Sequence, residues 1–287
     1  MAVCVVDDAA QRASNVEARD FFAEVDRALA AADEGQERIR VAFDCEGVDL
    51  SRCGSIEIVT LFFDTPESSV ESIFLVDVGR MSDDTLRAQR IKALKNLFEC
   101  ISVEKIIHDC RMDCDALYHH CGIRVKNVLD TSCMHTVVTS VPTKNLNDVL
   151  SFNKIAENGA RDKSVYRSNP RFWATRPFTA TMIEWASGDV DKLAKLADKQ
   201  IHSMNSAALT RAREESSNFA SAWEMKLEQD LVVRTSIGRF IGKGGANVRS
   251  LQNRTHTLIY QRGENKTWFV YFNDKSDLEI VKDAMGY

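Results

Sequence analysis

The chain has 287 residues, 44% of them hydrophobic and 28% charged, with 13 Gly and 4 Pro. That balance describes a folded globular chain and excludes disordered, collagen-like and coiled-coil compositions. No run approaches the roughly 20 apolar residues of a membrane-spanning helix, and Asp7 and Asp8 directly behind MAVCVV argue against a secretory leader. An intracellular protein with no membrane association is therefore expected. The net charge of −5 divides into −7 for residues 1–226 and +2 for residues 227–287, which hold 9 Lys and Arg against 7 Asp and Glu. All eight cysteines lie at or before Cys133. In a chain of this length they read as reduced, mostly buried thiols rather than disulfide staples.

Residues 1–35 are expected to hold an amphipathic helix. Ser14 and Glu17 fit a capping box, Phe21, Phe22, Val25 and Leu29 recur at helical spacing, and Gly35 supplies the stop. From Arg40 the pattern turns to short apolar runs. Val41–Phe43, Ile56–Phe63 and Ile73–Val78 read as strands, the last two separated by the turn-forming Asp64-Thr65-Pro66-Glu67-Ser68. A helix over Thr85–Cys100, a strand ending at Ile107, a helix through Leu117 and a short strand at Val128–Asp130 follow, and the rest to Ile201 reads as helical. Consecutive strands and then alternating strands and helices predict an α/β domain over 36–201, a mixed sheet flanked by helices. Residues 202–226 read as a polar helical connector. From Leu227 a smaller α+β unit is expected: strand Leu231–Arg234, helix Ile237–Ile241, the loop Gly242-Lys243-Gly244-Gly245, and a helix through Leu251. Strands Thr257–Gln261 and Thr267–Phe272 and a helix Asp277–Met285 complete it.

Four carboxylates stand where hard cations would be wanted. Asp44 and Glu46 are two apart at the end of a strand and so project to one side. Asp113 opens the helix after the 103–107 strand, and Asp189 belongs to the helical segment Ala186–Val190. Carboxylates gathered in this way repel one another unless cations such as Mg²⁺ or Mn²⁺, which prefer oxygen ligands, neutralise them. Cys110, Cys114, His119, His120 and Cys121 form a softer cluster with His108 nearby, but they point in different directions and read as buried thiols and surface histidines rather than zinc ligands.

The strings FDCEG (43–47), IHDCRMDCDAL (107–117) and WASGDV (185–190) resemble the three exonuclease motifs of the DEDD superfamily of 3′–5′ exonucleases. VLDT (128–131) and FWATRPF (172–178) are similar to accessory segments of its RNase D-like branch, and the second string also resembles that of exonuclease-domain-containing and Egalitarian-type proteins. The resemblance spans roughly residues 36–201 and implies a ribonuclease H-like fold. It makes Asp44, Glu46, Asp113 and Asp189 the ligands of two Mg²⁺ or Mn²⁺ ions that serve hydrolysis of the terminal phosphodiester to a nucleoside 5′-monophosphate. Trp185 stands where one subclass of the family carries a catalytic tyrosine, and Glu184 where the other carries a histidine. An indole N–H donates a hydrogen bond but accepts none, so Glu184, Tyr166 and Asp191 are the candidate substitutes. The run IGRFIGKGGANVRSLQNRT (237–255) resembles a type I KH domain, with GKGG as its nucleotide-clamping loop. Gly242, Lys243, Gly244 and Gly245, with Arg239 and Arg249 beside them, are then the expected contacts to single-stranded RNA. Single-stranded DNA is the alternative ligand. Together these readings predict a two-domain, metal-dependent 3′–5′ exoribonuclease, with a catalytically weak or inactive RNA-binding adaptor that retains the exonuclease fold as the runner-up.

Overall fold

The computed structural model describes residues 2–13, 15–35, 39–65, 72–80, 82–141, 145–162, 164–261 and 267–287. Six strands form the larger sheet: β1 (Ala2–Val6), β2 (Arg40–Glu46), β3 (Ile58–Asp64), β4 (Ser72–Asp77), β5 (Glu104–Ile107) and β6 (Val128–Asp130). Their order is β1-β4-β3-β2-β5-β6. The β2-β3-β4 meander is antiparallel, β5 and β6 continue it in parallel from β2, and β1 lies parallel to β4 on the other edge. This is the mixed sheet flanked by helices that the alternation of strands and helices predicted.

Helices α1 (Asp8–Arg12), α2 (Val16–Asp33), α3 (Asp84–Glu99) and α4 (Arg111–Cys121) precede α5 (Thr131–Thr139), α6 (Leu146–Phe152), α7 (Ser164–Ser168), α8 (Ala180–Gly188), α9 (Leu193–His202) and α10 (Ser206–Ala220). One face of the sheet buries Val41, Phe43 and Cys45 against Phe21, Phe98 and Leu117 of α2, α3 and α4. The other buries Ala42, Leu75 and Ile106 against Met182, Ala186 and Leu193 of α8 and α9. Since strand residues alternate between faces, Asp44 and Glu46 fall on the α8–α9 side with Ala42.

A second, antiparallel sheet, ordered β7-β9-β8, consists of β7 (Leu227–Val232), β8 (Leu258–Gln261) and β9 (Thr267–Phe272). One of its faces is covered by α11 (Ile237–Ile241), α12 (Ala246–Thr255) and α13 (Lys275–Met285) through Phe240, Val248, Leu251, Val281 and Met285. Its other face is not left to solvent. Leu258, Tyr260 and Tyr271 pack with Ala222 against Cys53, Met112 and Met225. Arg52 fastens the junction: its guanidinium lies 4.1 Å from the Tyr271 ring centre, bonds the buried Asp115 at 2.7 and 3.0 Å, and donates to the carbonyls of Met225 and Ala222.

Several local expectations need correction. The N-terminal stretch is not helix alone: Ala2–Val6 adds an edge strand, and α2 lies in the core of the large sheet. The helix cap is Asn15, whose side chain accepts from Ala18 N; Ser14 of the expected capping box lies outside the described residues. Residues 66–68 of the expected turn also lie outside them. The expected connector is α10 for most of its length, and Ala212 and Phe219 are buried in the large unit's two cores. The strand expected at 231–234 begins earlier, at Leu227. No helix among the described residues is long and apolar enough to cross a membrane. All eight cysteines are free; Cys110 and Cys114 are fully buried in the core, and His120 bonds the Ser51 carbonyl at 2.8 Å.

Candidate active site

At the end of β2, Asp44 and Glu46 meet Asp189, and carboxylate oxygens of these three residues lie within 4.8 Å of one another. Asp189 is not within a helix, as the sequence suggested, but is the C-cap of α8. Asp113 stands in the first turn of α4 beside this trio, buried, its Oδ1 accepting from the Cys45 backbone N–H at 2.9 Å. Its charge is among those felt at Asp44.

The turn that launches α4 is held by a residue the sequence offered only as part of an accessory segment. Asp130, fully buried at the end of β6, accepts from the N–H groups of Asp109 (2.9 Å), Cys110 (2.8 Å) and Ser132 (2.8 Å) and from the Ser132 hydroxyl (2.6 Å). Asp109 adopts a positive φ of 62°, which these bonds hold in place. Asp130 thus fixes where Asp113 points.

Burial dominates the electrostatics. It pushes the Asp44 carboxyl well above its ordinary range, with Asp113, Asp189 and Glu46 adding to the effect. Burial likewise raises Glu46 to about 8 and Asp113 to about 7, and lifts Asp189. Opposing this is a cation that sequence reasoning missed. Arg161 donates to Glu46 Oε1 at 2.9 Å, to Asp189 Oδ2, and to the Trp185 carbonyl at 2.8 Å. Its guanidinium lies 5.9 Å from the ring centres of both Trp173 and Trp185. Asn158 donates to Asp189 Oδ1 at 3.2 Å and accepts from Lys192 Nζ at 2.6 Å. An acidic, mostly desolvated donor set whose centre already holds a positive group suits hard divalent cations.

Trp185 packs its ring at 5.5 Å from that of Phe172, and it meets Arg161 both through its backbone carbonyl and through that ring. Of the candidate substitutes, Glu184 is exposed, Asp191 sits 3.8 Å from Lys192 Nζ, and the Tyr166 side chain lies outside the described residues. Arg176 of the accessory segment forms a bidentate bond with Asp77 at 2.7 and 2.8 Å, tying residues 172–178 to β4.

In the smaller unit the glycine loop is built on two left-handed residues. Gly242 has φ +74° and Gly245 φ +81°, and a Cβ at Gly242 would stand 2.6 Å from the Asn247 side chain. Asn247 in turn donates to the Arg239 carbonyl at 2.7 Å, closing the loop. Lys243 is exposed, and Lys243 to Gly245 form a short 3₁₀ turn that leads into α12. The two arginines expected beside the loop face different grooves. Arg239 lines one with Arg254 and Asp283, and Arg249 lines another with Lys243 and Asp148.

A mixed sheet with a carboxylate cluster at the end of its central strand defines a nuclease-type α/β fold. A sequence profile for the 3′–5′ exonuclease family matches residues 14–202, and the chain belongs to that family. It is 27% identical over 120 residues to the piRNA biogenesis protein EXD1 of Bombyx mori, spanning 42% of this chain and only about a third (35%) of that relative. Among solved structures, RNase D of Trypanosoma brucei superposes with a TM-score of 0.58 at 20% identity, over 77% of this chain and 72% of that one. The same enzyme in complex with RNA U12 gives 0.57 at 20% identity over 78% and 70%. The catalytic core of RRP6 from Trypanosoma brucei gives 0.55 at 19% identity over 76% and 51%.

Proposed function

We propose that this chain is a divalent-metal-dependent 3′–5′ exonuclease acting on single-stranded RNA. The observation that carries the reading is the convergence of Asp44, Glu46 and Asp189 within 4.8 Å, with Asp113 beside them. One buried and three partly buried carboxylates, two of them on one side of a central strand, cost stability unless cations compensate them. Asp44, Glu46, Asp113 and Asp189 would hold two Mg²⁺ or Mn²⁺ ions. Such ions supply positive charge for both the attacking and the leaving oxygen of a phosphodiester displacement. Water adds to the terminal phosphorus, the bond to the penultimate 3′-oxygen breaks, and a nucleoside 5′-monophosphate leaves. RNA is favoured over DNA by the company the fold keeps, since an RNase D of this fold has been seen in complex with RNA U12.

The chain's own residues contribute orientation. Asp130 sets the turn that aims Asp113, Asn158 holds Asp189 from the side, and Trp173 and Trp185 shield the Arg161 guanidinium. The smaller unit, read as a KH domain, would hold the strand through Gly242–Gly245 and Lys243, using backbone N–H groups and positive charge on phosphates.

One observation favours a second reading, an RNA-binding adaptor that retains the fold without turnover. Trp185 has no acceptor to steer a water, and Arg161 already bonds two of the carboxylates. A time course on 5′-labelled single-stranded RNA with Mg²⁺ or Mn²⁺, beside an Asp44→Ala control, separates the two. A ladder of shortened products that the control abolishes supports the nuclease; tight binding without shortening in either metal refutes it in favour of the adaptor.

A further inference from the structure

The exonuclease unit and the glycine loop face each other across a groove of about 610 Å³. That is the size of an ordinary small-ligand cleft, roughly 300–1,000 Å³. His135 of α5 and Asn145, Asp148 and Phe152 at α6 line one wall; Lys243 and Arg249 line the other. We infer that this groove is a composite nucleotide subsite, in which one base of a single strand stacks on Phe152 while the neighbouring phosphates sit against Lys243 and the loop backbone. The inference rests on the reading of this chain as a protein of single-stranded RNA, and it assigns part of the grip to the exonuclease unit itself.

Phe152 is the first reason. It is 59% exposed, an unusual position for a phenylalanine, and its ring is braced edge-on by His135 at a centroid distance of 5.0 Å. A braced, solvent-facing ring beside cations is the arrangement that stacks bases without regard to sequence. The shape of the opposite wall is the second. Gly245 lacks a side chain, and a Cβ there would stand 2.9 Å from Arg249 Nη1, so the guanidinium lies directly against the loop. Gly245 is the N-cap of the ten-residue helix α12 and, having no side chain, makes no cap bond of its own to the first turn. Charge is the third: two cations and one carboxylate, Asp148, line the groove, with Asp109 and Arg111 of the larger unit near enough to act on Arg249 as well. Asn145 and Asp148, joined at 2.9 Å, offer amide and carboxylate groups to a base edge.

The groove is also wired to the acidic centre. Asn147 of α6 exchanges bonds of 2.8 and 3.1 Å with the backbone of Asn158, which donates to Asp189. One short helix therefore carries the wall of the groove and braces the loop that holds Asp189, so a strand seated at Phe152 runs beside the element that orients the reaction centre.

The test is fluorescence anisotropy of the full chain with a labelled oligouridine of roughly 12 nucleotides, within the span of known single-strand sites, in EDTA so that nothing is cut. Phe152→Ala should weaken binding by about 5- to 150-fold, the loss expected for one stacked base, and Phe152→Tyr should restore it. Lys243→Glu should weaken binding and flatten the dependence of log affinity on log salt by about 0.7 for each phosphate that is no longer neutralised. Because Phe152 is exposed, its variants should melt with the parent by circular dichroism. Unchanged affinity in Phe152→Ala, or an effect confined to Lys243→Glu, overturns the composite subsite. Displacement of the oligonucleotide by polyglutamate but not by unlabelled RNA overturns it in favour of an acidic protein partner. A chain that trims RNA with no dependence on Phe152 keeps the nuclease and loses the groove; one that neither trims nor binds loses both.

Discussion

Replacing Arg161 by glutamine removes the positive charge from the middle of the acidic cluster while keeping a polar side chain of similar reach. In the structure the guanidinium bonds Glu46 Oε1, Asp189 Oδ2 and the Trp185 carbonyl. A divalent ion that took Glu46 Oε1 and Asp189 Oδ2 would have to displace the two Arg161 bonds. Hydrogen bonds to charged groups contribute about 1.5–3 kcal/mol each. The Arg161 side chain keeps 25% of its exposure, so the low end applies and screening trims it further. About 2 kcal/mol in total is a reasonable magnitude, which corresponds to roughly 30-fold tighter metal binding in Arg161→Gln.

Protons work against that gain. Arg161 is the group that holds the Glu46 and Asp189 carboxyls down against burial, and without it both rise further. Below about pH 8, where Glu46 already titrates, protons take over the competition that the arginine relinquished. The variant's advantage should therefore be small or reversed near pH 6 and larger near pH 8.5, with each pKa unit worth about tenfold. Calorimetric titration with Mn²⁺ at both pH values measures it directly and requires no turnover. In EDTA the variant should also melt about 2–8 °C lower, since it leaves buried carboxylates uncompensated by about 1–2 kcal/mol. Equal Mn²⁺ affinity at pH 8.5 together with an unchanged melting point would refute the view that Arg161 and the metal compete for the same oxygens.

Three further outcomes follow from the same geometry. Trp185→Tyr returns a phenol to the place where one family subclass uses it, and the rate of RNA shortening should rise on the order of 10²-fold or more; a rate equal to that of the parent would show that water positioning does not limit this chain. Asp130→Ala strips three backbone N–H groups, two of them in buried bonds, of their acceptor and should cost about 3–5 kcal/mol in a denaturant melt; a loss under 1 kcal/mol would contradict its assigned role in holding the α4 turn. Metal-free stability should fall as pH rises from about 5 to 7. Glu46 and Asp113 bind protons more tightly when folded, at about 8 and about 7, so their contribution is present below the ordinary carboxylate range and is lost as pH climbs through those values. Lys105, lowered to about 7 by burial, acts with the opposite sign above pH 7, so the slope must be read below it. Glu46→Gln should flatten that slope, and a pH-independent melting point in the parent would count against the buried cluster.

How much of this was legible in the sequence depends on the distance over which each signal travels. The pairing of Asp44 with Glu46 needed only the two-residue repeat of a strand, and Ala42 confirms it by lying in the α8–α9 core. The strands of the meander announced themselves as apolar runs because both of their faces are buried. β1 did not: a five-residue strand whose partner β4 lies some seventy positions away carries no local mark that separates it from a generic apolar patch. β7 was misplaced for the opposite reason. Its first residues, Leu227 to Asp230, are exposed on the edge of the small sheet, so no alternation of apolar and polar residues marks where the strand begins.

Arg161 is the clearest case of what a linear reading loses. It sits in a polar segment that reads in the sequence as part of a mostly helical stretch and that the structure shows outside any helix, 115 positions from Glu46 and 28 from Asp189, with no repeat or spacing to single it out. What identifies it is compensation. A cluster of buried carboxylates must be neutralised by protons, by ions or by a basic side chain, and a chain that brings an arginine to that position has supplied the third option itself. The same carboxylates that argue for metal thus acquire an internal competitor, and the balance between the two is set by pH and metal concentration. On the proposed metal-dependent reading, the acidic residues mark where a cation would belong, and Arg161 would set how much free metal is needed to occupy it.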